Sequence, residues 1–335
     1  MGHRHQLTAR ALREALGGVA RAVGSSGASL EVVLPAQEAA HTRASALLHD
    51  ATMRAHAVAP STPGVGAGFG AFLDGVQESR VVAYVGTIPI VHGRVGAVVR
   101  ARVDRRLVTW GDGARTDDAL YLPVAAVPAH LVDALVATGC PVIDTDDDAL
   151  PVEEAHPRQL LRRAVHLVQR GREALEHALA EAWSAAPGDA TLYIDGGLPP
   201  SAGVLRSGRV IGVIKSHHTL YAVGPALATV MSLGAGERSS VFVVETRWRE
   251  PVASWYVRLR APGHHDPLWG LVRVECPLPL LTGQADPDAA ADRLSTNVIA
   301  EASPLSLPDA RWDTMAYGIR DCEVYLRATL GRLAT

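Results

Sequence analysis

Asp195 closes the apolar run Leu192–Ile194 and is followed by Gly196–Gly197, so a carboxylate stands where a strand ends and the chain turns. Further on, Val210–Ile214 ends on Lys215, the only lysine in a chain whose other basic residues are arginine and histidine. Keeping one compact ammonium where arginine is used everywhere else marks a site that wants a point charge rather than a planar fork. A second Asp–Gly pair, Asp74–Gly75, closes the run AFL, and Glu173, Glu176 and Glu181 lie just ahead of Asp195. Converging carboxylates repel one another unless a cation neutralises them. Hard oxygen donors select magnesium or manganese. Two such ions would activate water and stabilise the leaving oxygen of a phosphodiester. Taken singly, an Asp–Gly pair reads as a turn and helix glutamates as a solvated face. Their order along the chain gives them weight.

That order follows from the elements. Residues 6–24 and 35–58 are Ala-rich with apolar positions at helical spacing, which predicts two helices. His41, His49 and His56 lie in the second, without a carboxylate partner motif, and read as surface or partly buried histidines. Pro60–Gly70 is a Pro/Gly-rich linker. From Ala71 the period changes: AFLDG, RVVAYVG, IPIVHGRVGAVVRARV and RRLVTW predict an antiparallel meander with Asp74 near the end of its first strand. The acidic loop Asp144–Asp148 lacks the glycine and the final glutamate of a calcium loop, having Ala149 and Ala155 there. Residues 156–183 predict a long helix opening on Pro157, and Asp195 lies on the next strand. Glu173 and Glu176 share a face of that helix. Beyond Lys215, GPALATVMSLG predicts a helix, SVFVVET, ASWYVRLR and LWGLVRVE predict strands, and the last two segments are helical.

Strand with Asp74, two antiparallel strands, helix, strand with Asp195: this is the element order of a ribonuclease-H-like core. The expected class is α/β, a ribonuclease-H-like mixed sheet flanked by helices, with an N-terminal helical extension over residues 1–60 and the main domain over 70–335. In that architecture the two aspartates lie on neighbouring strands and the helix can offer a glutamate.

The chain also resembles the NurA nucleases. AFLDGVQESR with GRVGAVVRAR is similar to that family's first aspartate motif, and GREALEH to its glutamate segment, with Glu176 the best match. LYIDGGLPPS followed by VIGVIKSHHTLY is similar to its second aspartate strand and lysine strand. The resemblance implies Asp74, Glu176, Asp195 and Lys215 as the catalytic set, with the three acids as ligands of Mn2+ or Mg2+. It implies DNA ends or single strands as substrate, a homodimer, and a hexameric HerA-like ATPase as partner. Gln77 and Gly197 stand where the family commonly has hydroxyls. The family's C-terminal histidine is absent from RWDTMAYGIRDCEVYLR, which leaves Asp321 as the stand-in ligand.

Cations for a phosphate backbone occur in two groups. Arg100 and Arg102 alternate with apolar residues in the meander, and Arg206, Arg209, His217 and His218 lie near Asp195 and Lys215. The net charge of −3 excludes a surface coated in nucleic acid but not a local basic channel. The three cysteines, Cys140, Cys276 and Cys322, have no zinc spacing and read as reduced. With no apolar leader and no membrane-length segment, a cytoplasmic protein is expected. An actin-like or sugar-kinase ATPase would need glycine-rich phosphate loops that DGVQES does not provide. The chain is too short for the guide-binding lobes of an Argonaute-type nuclease. The competing class is a ribonuclease-H-like scaffold or DNA-binding protein that has lost its chemistry.

Overall fold

The computed structural model describes residues 9–17, 21–22, 40–60, 68–146, 156–247, 249–302 and 314–331. Helix α1 (Ala9–Leu16) is followed by short strands β1 (Arg21–Ala22), β2 (His41–Thr42), β3 (Ala46–Leu47) and β4 (Ala55–Ala57). The long hairpin β5 (Phe69–Val85) and β6 (Ile88–Val103) comes next, then β7 (Arg106–Thr109) and β8 (Arg115–Leu122). Helix α2 (Ala129–Val136), strand β9 (Val142–Asp144) and helix α3 (Pro157–Ala185) lead into β10 (Thr191–Asp195), α4 (Ala202–Ser207) and β11 (Val210–Ile214). The remainder is β12 (Thr219–Leu220), α5 (Gly224–Met231), β13 (Glu237–Ser239), β14 (Phe242–Val244), β15 (Val252–Arg258) and β16 (Leu271–Pro277). Helices α6 (Leu278–Thr282), α7 (Pro287–Ala302) and α8 (Tyr317–Leu330) close the described chain.

One large mixed sheet runs β3-β14-β15-β16-β11-β10-β5-β6-β8-β9. Its centre is β8-β6-β5-β10-β11: β5, β6 and β8 are antiparallel, β10 runs parallel to β5, and β11 parallel to β10. The parallel pair β5 and β10 is joined through the α3 crossover, as parallel neighbours require. Alternation along β5 sends Ala71 and Leu73 to the α3 face, where they pack with Leu179 and Trp183. Phe72 goes to the opposite face with Ile319, Cys322 and Leu326 of α8.

Helix α3 is held at both ends. His156 and Gln159 form a reciprocal capping box at its start, with Pro157 in the first turn. At its end, Arg209 Nη2 donates to the carbonyls of Trp183, Ser184 and Ala186 at 2.7, 3.0 and 2.6 Å. A cation on the last carbonyls satisfies orphan acceptors and opposes the negative end of the helix dipole.

The expected helix over 35–58 does not form in its described part, residues 40–58. There β3 pairs with β14, β4 with β13, and β2 with β12. Ala-rich local propensity loses to backbone pairing along sheet edges and to burial of Met53 in the core. Through β3 and β4 this segment is woven into the main sheet rather than forming a helix, while β2 and β12 make a separate two-stranded sheet. His56 belongs to that weave, its Nε2 lying 2.9 Å from Asp50 Oδ2. Of the first predicted helix, 9–16 is helical. Residues 61–67 of the linker, 147–155 of the acidic stretch and Trp312 lie outside the described residues. No helix among the described residues is long and apolar enough to cross a membrane.

Candidate functional site

Asp74 lies inside β5, not at its end. The strand continues to Val85, and Gly75 pairs with Ala97 instead of turning. The glycine has another purpose: a Cβ there would lie 2.3 Å from Glu176 Oε1 and 3.0 Å from Arg172 Cγ. Its absence lets α3 approach β5 closely enough for Glu176 to reach the sheet. The α3 stripe Leu160, Ala164, Val168, Leu179, Ala180 and Trp183 is buried, and Glu176 lies on it as a carboxylate in an apolar row. That stripe singles out Glu176, because Glu181 is exposed and Glu173 is nearer the surface.

Register brings the second aspartate alongside. Ile194 pairs with Leu73 across the parallel β10–β5 ladder, so Asp195 and Asp74 follow one step later on neighbouring strands. Asp195 pairs with Val213 of β11, and Lys215 is two residues beyond it on the same face. Lys215 Nζ donates to Asp195 Oδ2 at 2.8 Å. The Gly196–Gly197 turn folds tightly onto β11: a Cβ on Gly212 would lie 2.6 Å from Gly196 O. Gly196 itself has φ +138°, which excludes most side chains. Leu198 N donates to Glu275 Oε2 at 3.1 Å, and Glu275 is held by Arg249 and Arg273 at 2.8 and 2.6 Å. Burial pushes the Glu275 carboxyl up, but the two guanidiniums outweigh it and hold it below its ordinary value. The buried ion triplet thus fixes the turn that follows Asp195.

The electrostatics identify a cluster. Asp74 is driven well above the usual carboxylate range by burial, then by the charge of Asp195, with Glu176 and Glu323 adding to it and Lys215 opposing. Burial lifts Glu176 to about 7 even though Arg172 Nη1 donates to its Oε1 at 2.5 Å. Arg172 is steadied in turn by Gln77, which accepts from its Nε at 3.0 Å. A cavity of about 180 Å³ is lined by Glu176, Asp195, Arg172, Glu173, His177 and the Gly196–Gly197 turn. The donors are carboxylate oxygens that repel one another, which is the set a hard divalent cation suits.

Asp74, Glu176, Asp195 and Lys215 are therefore brought together. Asp321 is placed differently: its Oδ2 accepts from Arg100 Nε at 2.6 Å. The α8 residue that faces the cluster is Glu323, 5% exposed. Gly318 lets α8 lie against the Phe72 ring, where a Cβ would come within 2.2 Å, and Cys322 Sγ donates to Phe72 O at 3.4 Å. Those contacts bring the next residue, Glu323, toward Asp74. In sequence it is one acid among several on an amphipathic helix. Its place on the buried row with Ile319 and Leu326 was the available signal.

The expected phosphate contacts divide. Arg100 is spent on Asp321, Thr109 and Leu107 O, and Arg102 on Glu301 and Phe69 O. Arg209 caps α3, as described above. His217 Nε2 lies 2.9 Å from Leu271 O. Burial, then Arg273 and Arg258, hold the His217 ring below its ordinary value against the opposing bond to Leu271 O. These four serve the fold. Arg206 and His218 are exposed. Sequence reasoning did not find Arg172, His177 or the supporting role of Gln77.

No protein-family model matches the chain, and no curated protein matches it.

Proposed function

We propose that the protein is a metal-dependent nuclease with a ribonuclease-H-like core, hydrolysing phosphodiesters of DNA at ends or in single strands. The observation that carries this reading is the place of Asp74 and Asp195, each one step past the Leu73–Ile194 pair on parallel neighbouring strands, with Glu176 packed against Gly75. The β8-β6-β5-β10-β11 order supports the architecture, since its directions are those such a core requires. Asp74, Glu176 and Asp195 would hold Mn2+ or Mg2+, with Glu323 replacing Asp321 as the fourth acid. When bound, two such ions would neutralise the cluster, acidify a water and stabilise the departing oxygen.

The chain's own residues have separate tasks in this reading. Lys215 orients Asp195 and offers its remaining N–H groups to a phosphate oxygen. Arg172, steadied by Gln77, orients Glu176 and balances its charge before a substrate arrives. The Gly196–Gly197 turn leaves the cavity open to a phosphate group and several waters, each occupying about 30 Å³. Of the expected phosphate contacts, Arg206 and His218 are the exposed ones left to meet the nucleic acid backbone. The resemblance to the NurA nucleases extends the proposal to a homodimer working with a HerA-like hexameric ATPase.

The test is cleavage of end-labelled single- and double-stranded DNA by the full chain with Mn2+, Mg2+ or EDTA. Cleavage should require the metal and fall to background in Asp74→Asn and Asp195→Asn. Equal cleavage in EDTA, or in either variant, overturns the reading. Absence of both cleavage and manganese binding favours the non-catalytic scaffold.

A further inference from the structure

A second group of chemically capable residues lies away from the carboxylate cluster. His92 is on β6, Asp118 on β8, and Cys140 just ahead of β9. One ligand atom from each lies within 4.8 Å of the others. His92 and Cys140 are 4% and 5% exposed, while the Asp118 side chain is 24% exposed. The sheet fixes their relative positions: His92 pairs with Leu120 and Arg94 with Asp118, and Leu120 pairs with Val142 two residues after Cys140.

The hydrogen bonding is incomplete in an informative way. His92 Nε2 is bonded to Asp118 Oδ1. The other oxygen, Oδ2, accepts from Arg94 Nε and Nη2 at 3.1 and 2.7 Å. Arg94 Nη1 donates to Leu330 O at the end of α8 at 3.0 Å, so the guanidinium is anchored independently. The Cys140 thiol makes a long contact, 3.9 Å, to Asp118 O, and the Leu120 backbone also bonds to its sulfur. An ion pair between His92 and Asp118 would not need that thiol beside it.

Cysteine, histidine and aspartate together also make nucleophilic sites. Here burial, then Asp118, push the Cys140 thiol up to about 11. An activated nucleophile is exposed and shifted the other way. A cation that draws off the thiol proton is the alternative use of the same three groups.

We propose that a ring nitrogen of His92, Asp118 Oδ1 and Cys140 Sγ form a site for a zinc-class divalent cation, with water in the fourth position. One nitrogen, one sulfur and one oxygen donor suit zinc and disfavour the hard ions that the Asp74 cluster would take. The exposed side of Asp118 provides the entry path and room for the water. Arg94 acts from behind, fixing the carboxylate's orientation through Oδ2. The bound ion ties β6, β8 and the turn into β9 at one corner of the sheet. This proposal is independent of the nuclease reading.

Cobalt is the probe, because a thiolate–Co2+ bond absorbs in the near ultraviolet. Titrating Co2+ into the metal-free full chain should give that band at one ion per chain, and Zn2+ should remove it. The band should be lost in Cys140→Ser and kept in Cys276→Ser and Cys322→Ser. No band in the wild type, or a band that survives Cys140→Ser, overturns the site. So does a band lost in Cys322→Ser but kept in Cys140→Ser. If Cys140→Ser melts differently from wild type in EDTA, Asp118→Asn decides instead. It keeps the side chain's shape and should weaken zinc binding at least about tenfold. Unchanged zinc affinity in Asp118→Asn overturns the proposal.

Discussion

Replacing Glu176 by glutamine should stabilise the metal-free protein, increasingly as pH rises. The folded chain raises the Glu176 carboxyl from 4.5 to about 7, chiefly by burial. Between those values the native state holds a proton that the unfolded state has released. Native proton uptake means that stability falls as pH rises through this window. At about 1.4 kcal/mol per pH unit, the rise amounts to a loss of about 3 kcal/mol once pH exceeds the folded value. Below the unfolded value of 4.5 the loss vanishes. Glutamine cannot ionise, yet its amide oxygen can still accept from Arg172. The difference between Glu176→Gln and wild type should thus be small at pH 5 and approach about 3 kcal/mol at pH 8. Urea unfolding of both proteins in EDTA across that range measures it. Asp74 is shifted in the same direction partly by the Glu176 charge, so the variant relieves it too and the gap at high pH widens further. A pH-independent difference, or a wild type that gains on the variant as pH rises, refutes the reasoning. Saturating Mn2+ should narrow the gap at pH 8, since an ion held by the folded carboxylates stabilises only that state.

Lys215→Arg should keep the charge and still pair with Asp195, yet fail to restore cleavage, because it adds bulk and a planar fork where a compact ammonium stands. A loss of about 10²-fold in single-turnover rate is expected, and a fully active variant would reduce Lys215 to charge balance. Gly75→Ala should cost about 1–3 kcal/mol in urea unfolding through overpacking and impair cleavage, because the new methyl meets Glu176 and Arg172. An unchanged midpoint would show that α3 yields freely. Glu323→Gln should lower the cleavage rate about tenfold or more, on the scale of a lost charge-assisted contact, whereas Asp321→Asn should leave it near wild type. The reverse ranking would restore Asp321 as the ligand. A chain beginning at residue 60 should fail to fold stably, since it lacks Met53 and the strands that pair with β13 and β14. A soluble product with the wild-type melting temperature would show those pairings to be dispensable.

The elements that position the site were legible where hydrophobic period and chain order agreed. The long helix and the strand ending at Asp195 appear where the apolar runs place them, whereas AFLDG and RVVAYVG are one continuous strand and the strand Arg115–Leu122 carries no such run. Two errors share one cause, local signals overridden by tertiary contacts. Asp74–Gly75 has the composition of a turn, but the glycine is there to admit a helix. Residues 40–58 have alanine's helical preference, but unpaired sheet edges claim their backbone. The alternation of Arg100 and Arg102 correctly put both on one face, but nothing local revealed the acids of α7 and α8 that cover it. Glu323 is hidden for the same reason. Its place near Asp74 depends on how close Gly318 lets one helix come to one ring.

Anomalous scattering from a manganese-soaked crystal addresses the central claim most directly, because it locates the ions and their ligands without assuming a substrate. The account predicts manganese bonded to carboxylate oxygens of both Asp74 and Asp195, with Glu176 in contact and Lys215 Nζ beside the ion rather than in its place. Manganese absent from this cluster at saturating concentration, with the Lys215–Asp195 pair unchanged, would contradict it.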